Sequence, residues 1–409
     1  MSIPISLSRY LYSNLVRPVL DRIFPVRAGV TRERKTVFTK RHLAGLVTAA
    51  AVTVSLVGCS AATAPAASSM APVNPATATS AEAFGGLADL VKAAKKEGAL
   101  NVIALPNDWA NYGAIKAAFA KKYGITVNSA SPDVSSAEEI TAAKNLKGQA
   151  TAPDVFDLGA AVTLSSTEYF APYKVANWKD IPAANKEASG LHVNDYTGSM
   201  SIGYDSTKLP KPTSLADLLK PVYKGAVALN GDPTQAGAAF AAIGLLSVQN
   251  GGTLDDFKPG IDFVTKLNKA GNFIPVDASP QTIASGETKL VFDWSYNNLA
   301  QSAVVPGWKV TTLPGTAYTS YYNQAINKDA PHPAAARLWQ EFIFSAEGQN
   351  SFLVGGAYPV TIDALTASGK IDKTALETLG KLDKQVTPTD AQAAKGAALL
   401  AASWAAAIG

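Results

Sequence analysis

A strand, a helix and a second strand follow one another at two well-separated places in this sequence, and that repetition limits the fold more than any other feature. In the first, Leu87, Leu90, Val91 and Ala94 recur at helical spacing, and Gly98 supplies a stop before the strand-like Leu100 to Leu105. After the loop Pro106-Asn107-Asp108-Trp109, a second helix places Ile115, Ala118, Phe119 and the stem of Lys122 on one side, and Ile125-Thr126-Val127 returns as a strand. Asp154 to Leu158 reads as a further buried strand ending in Gly159. The grammar restarts with the strand Gly225 to Leu229, the turn Asn230 to Thr234 and a helix from Gln235 to about Gln249. Next come the strand Leu290-Val291-Phe292, a loop from Asp293 to Asn297, the strand Trp308 to Leu313 and a strand near Tyr322 to Ile326. A long amphipathic helix then starts at Pro333 and runs to about Ser345. Such alternation calls for a parallel sheet covered by helices, with right-handed crossovers. Roughly 320 residues of it exceed what one core usually holds, so an α/β protein of two domains is expected.

Ahead of this body, Arg32, Arg34, Lys35, Lys40 and Arg41 precede the uncharged run Leu43 to Val57, and Gly58-Cys59 follows. The run falls short of the roughly 20 apolar residues that cross a bilayer as a helix, and the pattern is that of a signal peptide over residues 1–58. Leu56-Val57-Gly58-Cys59 resembles the bacterial lipobox, which implies that Cys59, the only cysteine, is lipidated and becomes the mature N-terminus. Residues 1–30 add nothing that a signal needs, and are read as the product of a start assigned too early. Removing residues 1–58 leaves 27 Lys and Arg against 30 Asp and Glu, so the whole-chain charge of +4 gives way to a slightly acidic body. A nucleic-acid partner would need a concentrated basic face, and none is expected. Residues 59–83, almost entirely Ala, Ser, Thr and Pro, read as a flexible tether.

Three phrases carry a family resemblance: ADLLKPVYKGAVALNGDP (Ala216 to Pro233), GETKLVFDW (Gly286 to Trp294) and KDAPHPAAARLWQEFIFSAEGQNSFLVGGAYPV (Lys328 to Val360). They are similar to the bacterial extracellular solute-binding proteins, in the group that includes iron, polyamine and phosphonate receptors. The resemblance implies a two-lobed periplasmic-binding-protein-like fold of type II with hinge strands. It also implies a monomer tethered by lipid outside the cytoplasm, which delivers a small-molecule ligand to the permease and ATPase subunits of an ABC importer. On this basis residues 84–195 and 308–328 are assigned to lobe 1, and 196–307 and 329–409 to lobe 2. Crossings between lobes are expected near residues 192–203, 305–310 and 326–332.

Ligands of open α/β sheets lie beyond the carboxyl ends of the strands. That rule selects Asn107, Asp108, Trp109 and Tyr112 after the first strand, and Asp157 with Gly159 after DVFDL. It also selects Asp232 and Thr234 after GAVALN, and Asp293, Trp294 and Tyr296 after LVF; the segments between lobes add Tyr196, Tyr321 and Tyr322. Asp157 and Asp232 are equally placed to cap the helices that follow, a role favoured for Asp232 by the adjacent Pro233. The set is acidic and aromatic with no arginine, which suits an amine cation and favours a polyamine-like ligand.

Ferric iron, phosphonate and sugar stand as alternatives. Adjacent tyrosines mark ferric-binding members of the resembled group, but Tyr321-Tyr322 falls later in the chain than that pair should. His192 and His332 are the only histidines of the mature chain, and His332 in the turn before Pro333 is read as structural. No metal and no cofactor is therefore expected. A nucleophile elbow, phosphate loop or metalloprotease motif would mark an enzyme; the sequence contains none, and no catalytic residue is assigned.

Overall fold

The computed structural model describes residues 73–379 and 384–409; the expected signal segment and Cys59 lie outside them. The first elements are α1 (Leu87–Glu97), β1 (Ala99–Ile103), α2 (Tyr112–Tyr123), β2 (Thr126–Ala130), α3 (Ser136–Asn145), β3 (Val155–Gly159), α4 (Ala160–Leu164), β4 (Phe170–Ala171) and the long strand β5 (His192–Asp205). There follow β6 (Val227–Leu229), α5 (Gly237–Gln249), α6 (Lys258–Lys269), α7 (Pro280–Ser285), β7 (Leu290–Trp294), α8 (Ser295–Val304), β8 (Trp308–Thr311) and β9 (Ala317–Asn327). The chain continues through α9 (Pro333–Ile343), α10 (Ala346–Val354), β10 (Tyr358–Pro359), α11 (Ile362–Ala367), α12 (Lys373–Leu379), β11 (Gln385–Val386) and α13 (Asp390–Ile408).

Local chemistry sets several boundaries. Gly98 ends α1 in the left-handed region at φ 78°, which only glycine adopts without strain. Reciprocal capping boxes open α3 (Ser135 with Glu138) and α13 (Thr389 with Gln392). Residues 293–297, expected as a loop, instead finish β7 and begin α8 directly, with Trp294 as its N-cap residue.

The parallel pairing expected from the alternation is present between β1 and β2 and between β6 and β7. β11 also pairs parallel with β9, but the long strands β5 and β9 run antiparallel to each other and to their remaining neighbours, so the large sheet is mixed. β9 takes β3 and β4 on one edge and β5 on the other. β5 pairs with β9 and β10 over its first part, then with β7 and β8 from Met200 onward. One set of strands is thus attached to the start of β5 and another to its end.

Helices group in the same way. α1 packs on α9 and α2 on α10, beside β1 and β3; α5 and α8 cover β6, β7 and β8, and α6 packs on α5. α9 and α10 therefore lie with the N-terminal half, not with the second half to which residues 329–409 were assigned. The reason is visible in α9, whose Ala334, Ala335, Leu338, Trp339 and Phe342 are wholly buried, Trp339 against Phe119 of α2. Arg337 is buried too, and its guanidinium donates to the carbonyls of Ala76 (2.8 Å), Ala78 (2.6 Å) and Pro333 (2.9 Å), so residues 73–83, expected as the end of a flexible tether, are instead packed on the body, with Ala78 and Ala81 buried. Likewise β8 joins the second half by pairing with Ile202 to Asp205, although residues 308–328 were assigned to the first. Among the described residues no helix is long and apolar enough to cross a membrane.

Candidate functional site

A cavity of about 620 Å³ opens between the two groups of elements. Its walls come from the loops after β1 and β2, the start of α3, the ends of β3, β6 and β7, the start of α5, and two residues of α13. Eight carboxylates line it: Asp108, Asp133, Glu138, Glu139, Asp157, Asp232, Asp277 and Asp293. No lysine, arginine or histidine lines it. Trp109, Tyr322, Phe273 and Trp404 supply the aromatic surface.

The loop after β1 is held in strained backbone. Ala104 (φ 54°), Ala110 (φ 43°) and Asn111 (φ 68°) all occupy the left-handed region, which costs a non-glycine residue roughly 1–2 kcal/mol. The strain sets Trp109 against the opposite elements: its indole N–H donates to the Tyr196 hydroxyl at 2.6 Å, and its ring meets Tyr322 and Tyr296 edge-on at 5.6 and 5.9 Å. Asp108 accepts from Gln301 of α8 at 3.0 Å, and the amide of Ala137 in α3 donates to the Gln235 carbonyl ahead of α5 at 3.3 Å. These bonds span the cavity from one half to the other.

Beneath it lies a cluster of rings. Tyr196 stacks on Tyr322 (5.6 Å, 8°) and Trp294 on Tyr296 (6.2 Å, 13°), while the Trp294 indole donates to the Tyr322 hydroxyl at 3.3 Å. Tyr112 meets Tyr196 edge-on. Edge and offset pairs of this kind add to the burial of their area, so the cluster is a rigid floor.

The carboxyls on this floor are unusual. Asp293 accepts from the backbone N–H of Trp294 (2.6 Å) and from Asn297, yet burial pushes its carboxyl up to about 6. Asp157 is pushed up by burial although the Tyr196 hydroxyl donates to it at 3.0 Å. Burial, and then the charge of Asp157, raise Glu139, whose carboxylate accepts the Asp157 backbone N–H at 3.1 Å. A dry floor therefore holds its acids against ionisation, and a cation placed among them would reverse that cost.

Of the residues selected from the sequence, Asp108, Trp109, Asp157, Asp232, Asp293 and Tyr322 line the cavity. Tyr112, Tyr196, Trp294 and Tyr296 lie in the buried floor rather than at its surface, because close packing of six rings leaves few of them a free face. Asn107 and Thr234 are exposed outside the lining, and Tyr321 projects to the other side of β9 from Tyr322, as neighbours in a strand must. Asp232 does not cap α5: its carboxylate accepts from the N–H and hydroxyl of Thr234, closing a turn, and the N-cap position is Ala236. Nor does Asp157 cap α4, whose N-cap is Gly159. His332 is the N-cap residue of α9, and its ring bonds the wholly buried Asp154 at 2.9 Å.

Sequence reasoning missed Asp133, Glu138, Glu139, Asp277, Asn297, Gln301 and Trp404. Ser135 and Glu138 already carry a capping-box spacing that announces α3 and so brings Glu138 and Glu139 to a helix start. Nothing in the sequence connects Trp404 to strands so far upstream.

Solved structures with the same fold are numerous and distant. The ferric binding protein from Campylobacter jejuni shares 16% identity, covering 75% of this chain and 99% of its own, with a TM-score of 0.55. The periplasmic binding protein AfuA from Actinobacillus pleuropneumoniae, solved with fructose-6-phosphate, shares 16%, covering 76% and 98%, with a TM-score of 0.59. A Listeria monocytogenes protein named for a spermidine/putrescine ABC transporter shares 15%, covering 72% and 94%, with a TM-score of 0.53. No curated protein sequence matches the chain.

The fold is the two-lobed fold of the periplasmic binding proteins, as expected from the sequence. Residues 152–377 match the model of the bacterial extracellular solute-binding proteins, and the chain belongs to that family. Its members bind solutes for ABC importers and work outside the cytoplasm.

Proposed function

We propose that this receptor captures a small organic cation of the polyamine class and passes it to a membrane permease, catalysing nothing itself. The observation that carries the reading is the composition of the cavity: eight carboxylates contributed from both halves, no basic side chain, and the faces of Trp109 and Tyr322 within it. Carboxylates pair with ammonium groups, and an aromatic face adds roughly 0.5–2 kcal/mol for each cation it covers. A phosphate or phosphonate ester would meet like charge on every side. Ferric iron is disfavoured because Tyr321 and Tyr322 leave β9 in opposite directions and cannot converge on one ion.

The lobes we propose are residues 73–195 with β9, α9, α10 and β10, against residues 200–312 with α13, hinged where β5 and β9 pass between them. A ligand touching Asp157 on one side and Asp293 on the other favours the closed arrangement by its added contacts there. Cys59 is proposed as the lipidated N-terminus of a monomeric receptor; intact mass of the processed protein would reveal the acyl addition, and an unmodified thiol would remove the anchor.

Thermal unfolding with spermidine, putrescine, ferric citrate, fructose-6-phosphate and a phosphonate tests the ligand class. Spermidine or putrescine at about 100 times its dissociation constant should add roughly 2.7 kcal/mol, a shift of several degrees. Silence of both amines with a response to an anionic compound would overturn the cationic reading while leaving the receptor in place.

A further inference from the structure

The floor of the cavity contains a carboxyl pair of which only one member reaches the ligand space. Asp157, in the middle of β3, is 5% exposed and lines the cavity. Its Oδ2 accepts the Tyr196 hydroxyl at 3.0 Å, whereas its Oδ1 is buried without a partner. Behind it, wholly buried, stands Asp195 of β5. The pairing of β5 with β9 breaks register between Asn194 and Thr197, and a break of this kind re-aims side chains inward. Asp195 accepts from the Tyr196 backbone N–H (2.8 Å), Gln324 Nε2 (3.0 Å) and the Tyr112 hydroxyl (3.4 Å), and Gln324 is the residue of β9 paired with Asp157 of β3, which makes the two acids neighbours.

Two neighbouring buried carboxylates cannot both be ionised at modest cost, so the pair holds one proton. The titratable groups facing the pair offer no relief. They are Tyr112 from α2, Glu139 from α3, Tyr196 from β5, Tyr296 from α8 and Tyr322 from β9, with Asp293 of β7 beyond Tyr322. Among the described residues the one buried lysine, Lys116 of α2, is engaged by the Leu105 carbonyl and Ser129.

Building on the cationic ligand proposed above, we propose that an ammonium group of the ligand is received at the free oxygen of Asp157 and replaces the proton shared with Asp195. The carboxyl O–H bond breaks, the proton leaves to solvent, and the ammonium ion takes over its charge-balancing role. One positive charge enters as another departs, so the buried floor keeps the same net charge before and after capture. Asp195 acts here as a positioning residue: it touches no ligand, but it sets the proton that the ligand displaces.

Two measurements on the mature chain test this. In the ligand-free protein, carbon-13 NMR of the aspartate carboxyls should show Asp157 and Asp195 titrating together with one proton retained well above the ordinary range; independent titration of both near about 4 would overturn the exchange. Calorimetry of spermidine binding at neutral pH, in two buffers of different ionisation enthalpy, should count about one proton released, with affinity falling up to about tenfold per pH unit on acidification. D195N should still bind spermidine but release no proton. If D195N does not fold, D157N serves instead, and it should lose both affinity and proton release. Binding of spermidine without proton release, or unchanged release in D195N, sinks the exchange alone. Failure of both spermidine and putrescine to bind sinks the cationic reading, and the exchange with it.

Discussion

Gly159 and Gly237 meet backbone to backbone across the cleft: a Cβ on Gly159 would lie 2.7 Å from the Cα of Gly237. Gly159 ends β3 in one half and Gly237 begins α5 in the other. Gly159 has φ −63°, so a larger residue there is opposed by this contact and not by its own backbone. Gly159→Val should hold the halves apart, enlarge the radius of gyration in small-angle scattering with ligand present, and weaken spermidine binding at least tenfold. A variant that still compacts on ligand addition would show that the glycine contact does not limit closure.

Asp293 provides one of the two floor carboxyls that face each other across the cavity. Asp293→Asn removes a charge while keeping an acceptor for the Trp294 N–H, so folding should be preserved. Spermidine affinity should fall by about 2–3 kcal/mol, as expected when one partner of a desolvated charge pair is lost, read by calorimetry. An unchanged affinity would remove this end of β7 from the site.

Acids raised by burial also make the free receptor's stability depend on pH. Asp293, Asp157, Asp195 and Glu139 are all raised, so the native state binds more protons than the unfolded chain above the ordinary carboxyl range. Their contribution is fully present at low pH and is lost as pH rises; for Asp293 the window runs from 3.8 to about 6. Ligand-free protein should therefore unfold at a higher temperature at pH 5.5 than at pH 7.5, and the stabilisation by spermidine should be larger at pH 7.5. Equal melting temperatures without ligand would contradict the dry floor.

His332 gives a second titration at a distance from the cavity. Its hydrogen bond to Asp154 raises its pKa, so the interaction is strongest below the unfolded value and weakens as pH climbs through the folded one. The stability difference between wild type and His332→Gln, from urea unfolding, should shrink between pH 6 and pH 9. A difference that grows would mean that the neutral ring is the stabilising form.

Arg337 supports the fold without a carboxylate partner, through the carbonyls of Ala76, Ala78 and Pro333. Arg337→Met fills similar volume but leaves those acceptors without their donors, and should cost about 3 kcal/mol in urea unfolding. Arg337→Lys should recover only part of this, since one ammonium cannot serve three diverging carbonyls. Full recovery would show that charge, and not the guanidinium fork, matters.

The regular elements were readable because their periodicity is local. Val155–Gly159 and Leu290–Trp294 are short apolar runs each carrying one acid in its second half or centre, and the end-of-strand rule then finds Asp157 and Asp293 without any knowledge of the fold. Tyr196 and Trp294 were selected for their chemistry, yet packing buries them, and packing is a long-range property that no window of sequence contains. Asp195 was invisible for a related reason. Alternation along His192–Asp205 gives it no distinctive place, and only the register break against β9 turns it toward Asp157. Trp404 reaches the cavity wall through contact of its ring with Phe273, a pairing set by how α13 lies on α6.

A rim of acids unrelieved by any basic neighbour acts on solutes long before they touch it. Its field gathers positively charged molecules from the surrounding water and turns anions away, so with the cationic ligand proposed above part of the selection would be made during diffusion. Added salt shortens the reach of that field to about 8 Å at physiological ionic strength, which ties the speed of uptake to the salinity of the medium the cell inhabits.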